Sequence, residues 1–160
     1  MQDRSEALIG TYIANTWLLN RLIDDITEEE ALRVPSGRIN SMNWILGHII
    51  SGRHKALTLL ETVDFWDDQR MQMYQTGSAA VVEDGQGLKF AELKRELERS
   101  QQALETALER ATADLLETVK TTDRGEKPVW EHVEGLGWHE TFHVGQVDIL
   151  RAFTHEPDAS

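Results

Sequence analysis

Apolar residues recur at helical spacing in four stretches of this chain. In the first, from about Gln2 to Asp25, one stripe carries Leu8, Tyr12, Leu19 and Leu22 and continues to Ile26. Thr27-Glu28-Glu29-Glu30 is suited to cap a short turn, and Pro35-Ser36-Gly37 then breaks the chain. The second stretch begins near Ser41, an N-cap type of residue, and continues to about Glu61. Its inward stripe is Ile45, His48, Gly52, Ala56 and Leu59, with Ile49 and Leu60 beside it. The third, Leu88 to about Lys120, is the clearest. Leu93, Leu97, Ser100, Leu104, Ala107, Ala111 and Leu115 advance by steps of three and four, and strong helix formers fill the rest. The polar stretch Thr121 to Pro128, with Gly125 inside it, ends that helix. The fourth runs from about Pro128 to Thr154, with proline in its first turn and Pro157 beyond its end.

Between the second and third helices, Thr62 to Gly87 loses its periodicity and is too long for a tight turn. It reads as a crossover holding a short helical piece, which allows the two flanking helices to run parallel. Four amphipathic helices without a strand pattern predict an all-α four-helix bundle. One domain is expected over residues 1–155, with a frayed tail at 156–160.

The last helix changes the picture from fold to chemistry. His132, Leu136, His139, His143, Gln146, Leu150 and Phe153 follow one another at steps of three and four, the spacing of a core-facing seam. Histidine stands at two successive turns where leucine would ordinarily stand. His139 and His143 are four apart, which places their Cβ atoms roughly 6 Å apart on one face. His48 adds a third imidazole from the inward stripe of the second helix. Each buried imidazole left without a partner costs on the order of 1–3 kcal/mol, and one divalent cation satisfies three at once. His48, His139 and His143 are therefore the candidate metal ligands. Gln146, one turn beyond His143, is placed to support a ligand, and His132 to line the pocket. Glu140 points about 100° from His139 and reads as a surface or subunit-facing acid. His54 and His155 read as surface residues. Trp138, beside a candidate ligand but off its seam, is the favoured helix or dimer contact among the five tryptophans.

Composition narrows the options. No cysteine is present, so Cys-based zinc sites and thiolate nucleophiles are excluded, and any thiol must come from outside. A net charge of −12 repels nucleic acid and anionic lipid. No signal peptide or membrane-spanning run is legible, and a cytoplasmic location is expected.

The segments Asn43-Trp44-Ile45-Leu46-Gly47-His48-Ile49 and His139-Glu140-Thr141-Phe142-His143-Val144-Gly145-Gln146 resemble the second-helix and last-helix motifs of the DinB/YfiT-like superfamily. The resemblance extends from the first helix to Arg151. It implies an up-down-down-up bundle, commonly a homodimer, with His48, His139 and His143 on zinc or nickel. It also implies a small-molecule substrate, and in some relatives an external low-molecular-weight thiol transferred to an electrophile. Relatives often carry a histidine or polar residue where this chain has Phe142, which bears on pocket polarity. A metal-dependent hydrolase and a non-catalytic, stress-associated metal-binding bundle are the alternatives. No catalytic residue beyond the metal is assigned by the sequence.

Overall fold

The computed structural model describes residues 2–35, 39–62 and 65–154. Four long helices carry the fold: α1 (Gln2–Ile23), α3 (Met42–Leu59), α5 (Phe90–Arg110) and α7 (Val129–Thr154). Short helices α2 (Glu28–Leu32), α4 (Asp68–Tyr74) and α6 (Ala113–Glu117) lie in the connections. Side chains at their N-termini explain where several begin. Thr27 and Glu30 form a reciprocal capping box on α2, and Ser41, Asp67 and Thr112 accept from the first turns of α3, α4 and α6.

A buried polar layer divides the core into two apolar halves. One half holds Leu19, Leu22, Ile45, Ile49, Phe90, Leu93, Val144 and Val147; the other holds Leu8, Tyr12, Ala56, Leu57, Leu104, Leu108, Val133 and Leu136. Between them lie Thr16, Arg53, Ser100 and Glu140, one residue from each long helix. The order in which each helix meets the two halves gives its direction. α1 and α7 run from the second half to the first, and α3 and α5 run the other way. The bundle is thus up-down-down-up, with the parallel pair α3 and α5 joined by the long crossover.

Two expectations are corrected. The third helix stops at Arg110 rather than near Lys120, because Thr112 turns its side chain onto Leu115 N and starts a new helix. A strand pair then appears where none was expected: β1 (Val119–Thr122) pairs antiparallel with β2 (Gly125–Pro128). Gly125, at φ 98°, supplies the left-handed residue that closes this hairpin. Tyr12 Oη donates to the Val133 carbonyl at 3.0 Å, and Asn15 Nδ2 to that of Gly137 at 3.3 Å, joining α1 to α7.

The seam on α7 also drifts. His132 is buried, His139 and Gln146 are half-buried, and Phe153 is 49% exposed, although all four are seven residues apart. A straight helix drifts about 20° per heptad, so the line from His132, which starts at the edge of the buried face, walks off it. Val133, Glu140, Val147 and Thr154 start about 100° further round, drift across the face and stay buried. Among the described residues no helix is long and apolar enough to cross a membrane.

Candidate metal centre

His48 projects from the middle of α3 toward α7, where His139 and His143 stand one turn apart. Their ring nitrogens converge. His48 Nε2 lies 3.3 Å from His139 Nε2, and His143 Nε2 lies 3.0 Å from the same atom. One nitrogen from each ring falls within 4.8 Å of the others, and among the described residues no carboxylate or further imidazole joins the cluster. An ion held about 2.0–2.1 Å from each nitrogen separates them by roughly 2.9–3.4 Å, in octahedral or tetrahedral geometry. Both separations fall in that range.

Proton positions strengthen the fit. His48 Nδ1 lies 2.7 Å from the Tyr74 carbonyl oxygen, which only accepts, so Nδ1 carries the proton. His143 Nδ1 donates to Gln146 Oε1 at 2.7 Å. Both rings therefore turn a bare Nε2 lone pair toward His139 Nε2. A single proton there serves one of those lone pairs and leaves the other facing nitrogen. A divalent cation satisfies all three.

Burial holds each imidazole below the ordinary histidine range, His139 down to about 4 with the neighbouring His143 adding to the effect. The neutral, ligating form is thus the resting form. Trp44 stacks on His48 at 4.7 Å between centroids, and Phe142 meets His143 edge-on at 5.3 Å, so aromatic rings flank the cluster on both helices.

Tyr74, at the end of α4, was not singled out by the sequence, yet it fixes His48. Its ring lies flat against Gly47, where a Cβ would come within 2.2 Å of Tyr74 Cδ1. Its hydroxyl donates to Asn43 Oδ1 at 3.1 Å and accepts from Leu88 N at 2.7 Å. The glycine preceding His48, inside a helix that would ordinarily avoid it, was the available signal. It makes room for the residue whose carbonyl orients the histidine.

Glu140 is corrected outright. It is 4% exposed and meets the fully buried Arg53 through both carboxylate oxygens, at 2.6 and 2.9 Å. The pair lies in the polar layer because Glu140 sits on the true core line of α7. Gln146 reaches the site with its oxygen, accepting from His143. His132 lies away from the cluster: Nε2 donates to the Lys120 carbonyl at 2.9 Å and ties the hairpin to α7. It does line a pocket, together with Leu136. His54, expected at the surface, is half-buried and accepts the Trp66 N–H on Nδ1 at 3.0 Å. His155 lies outside the described residues. Trp138 is 72% exposed.

Three convergent imidazoles carried on two neighbouring helices of an up-down-down-up bundle define a class of helical proteins with a candidate metal centre. The chain belongs to the DinB superfamily, whose family model matches residues 14–147 and so spans all three histidines. No curated protein matches the sequence.

Proposed function

We propose that the chain is a metal-dependent enzyme in which His48, His139 and His143 hold a divalent ion, zinc or nickel, and that it joins a low-molecular-weight thiol to an electrophilic small molecule. The observation that carries this reading is the pair of Nε2 lone pairs directed at a third imidazole nitrogen. Three neutral ligands with no fourth among the described residues suit an ion that keeps a position for substrate, and weigh against a closed structural staple. When bound, the ion supplies Lewis acidity that favours thiolate over thiol. This chain's own residues orient the site: Tyr74 and Gln146 fix the tautomers of His48 and His143, while Trp44 and Phe142 flank them. In an addition, sulfur bonds to the electrophilic carbon and the thiol proton ends on the adjacent carbon. In a displacement, that proton leaves with the displaced group.

The absence of cysteine agrees with a thiol supplied from outside. A hydrolase using the glutamate after the first histidine as its base is disfavoured, because both Glu140 oxygens are engaged by Arg53. We also propose a homodimer, formed through the exposed Trp138, Phe142 and Ile149 of α7 with Ile13 and Trp17 of α1. Sedimentation of the Trp138→Ala variant as a monomer beside a dimeric parent would support that assembly, and a monomeric parent would remove it.

Cobalt substitution tests the thiol reading. Adding 2-mercaptoethanol to the cobalt-loaded protein is expected to produce a sulfur-to-cobalt charge-transfer band. An unchanged spectrum at saturating thiol, with the cobalt d–d bands intact, rejects thiol chemistry while keeping the metal.

A further inference from the structure

A cavity of about 360 Å³ opens between α3, α7 and the tip of the β-hairpin, with Lys55, Thr58, Met71, Thr122, Arg124 and Leu136 among its lining residues. It adjoins the histidine cluster along both helices. Leu136 is three residues before His139, about one turn, and Lys55 is seven after His48, about 10 Å along the axis. Two cations thus face a pocket whose lining begins about one turn from His139 on α7 and nearly two turns from His48 on α3.

The chain carries 28 acidic residues against 16 basic ones, and nine of the fifteen described lysines and arginines pair with a carboxylate. Among the described residues neither Lys55 nor Arg124 forms an ion pair. Arg124 gives one N–H to the Gly135 carbonyl at 3.2 Å, which aims the guanidinium and leaves other donors in its fork available. The single carboxylate on the lining is Asp123. The rest of the wall mixes apolar surface, from Leu59, Met71 and Leu136, with the Thr58 and Thr122 hydroxyls and the imidazoles of His54 and His132.

The hairpin that the sequence did not announce has a use here. Arg124 stands in its two-residue turn, between the paired residues Thr122 and Gly125. His132 holds the hairpin down by donating to Lys120 O, and Thr122 Oγ1 lies 3.4 Å from its Nδ1. A residue on α7 therefore positions the loop that brings a guanidinium to the pocket.

We propose that this cavity is the substrate pocket and that it selects a small organic carboxylate, with Lys55 and Arg124 binding the carboxylate while an apolar stem leads the reacting end toward the histidine cluster. The inference rests on the metal reading for its reacting end only; the carboxylate site stands on the pocket itself. In a chain of this net charge, two unpaired cations at one mouth draw an anion against a repulsive background.

The test uses 6-mercaptohexanoate and its neutral analogue 6-mercaptohexanamide, titrated calorimetrically into zinc-loaded protein. The acid is expected to bind about tenfold more tightly than the amide at low salt. The preference should fall to within about twofold in the Lys55→Gln/Arg124→Gln variant and should weaken in the parent as salt rises. Zinc stoichiometry in that variant should match the parent. Equal affinity for acid and amide in the parent, with zinc bound, overturns the anion pocket and leaves the metal reading standing. If the protein takes up no zinc, hexanoate against hexanamide on the metal-free protein decides the same point: a salt-sensitive preference for hexanoate supports the pocket and no preference rejects it.

Discussion

Arg53 and Glu140 form a fully buried, two-pronged ion pair that spans α3 and α7 beside the histidine cluster. All five guanidinium N–H donors are used: two go to Glu140, and the others to Thr16 Oγ1, Ser100 Oγ and the Leu97 carbonyl. One side chain thus ties together all four long helices, and Glu140 directly follows His139 in the chain. Burial of two charges is costly unless every donor and acceptor is matched, and here the matching is complete for Arg53.

Removing one partner should expose that cost. Arg53→Met leaves the Glu140 carboxylate buried without its counter-ion and is expected to destabilise the protein by about 3–5 kcal/mol. The double variant Arg53→Met/Glu140→Leu should recover much of the loss, since neither charge then remains. Urea denaturation of the two variants checks this. Similar midpoints for parent and Arg53→Met would show that the pair is not structurally significant.

Gly47 should be intolerant of even a methyl group. In Gly47→Ala the new Cβ would meet the Tyr74 ring at 2.2 to 2.5 Å, so α4 must move away from α3. Overpacking of this kind costs about 1–3 kcal/mol. The displacement also takes the Tyr74 carbonyl from His48 Nδ1, so metal affinity should fall together with stability. A variant that keeps both would mean that α4 does not orient His48.

Gln146 offers a separable test of ring orientation. Gln146→Leu removes the acceptor for His143 Nδ1–H while keeping the side chain's bulk. Loss of such a partner commonly weakens metal binding 10–100-fold. Competition with a chromophoric zinc chelator measures the change, and circular dichroism should show the helices intact.

Acid should destabilise the metal-free protein over a defined window. His139 titrates near 4 in the folded chain, because of burial first and His143 next, against about 6.5 when unfolded. Between those values the unfolded state binds more protons. Stability is therefore full above about pH 6.5, declines as pH falls toward 4, and levels off below. His139→Ala should show a shallower decline in thermal midpoint over that range. An identical slope in both proteins would contradict the assigned shift.

The helical periodicity made the bundle legible, because four amphipathic stripes admit few other packings. The three histidines were legible for the same reason: imidazole at leucine positions is conspicuous. What the sequence hid was register and context. Treating α7 as a strict seven-residue seam placed Phe153 inside and Glu140 outside, and the 3.6-residue turn reverses both. Tyr74 escaped notice because its role is played by a backbone carbonyl, which every residue possesses. The hairpin was hidden by brevity, since four-residue strands carry little pattern beyond Val119 and the threonines at Thr121 and Thr122.

The central claim is that His48, His139 and His143 hold a metal, and metal content tests it most directly. Untagged protein purified without chelator should contain about one divalent ion per chain by plasma mass spectrometry. The His48→Ala/His139→Ala/His143→Ala variant should contain none. Absence of metal from the parent, even after reconstitution with zinc, nickel and manganese, would contradict the account and leave the three histidines as packing residues.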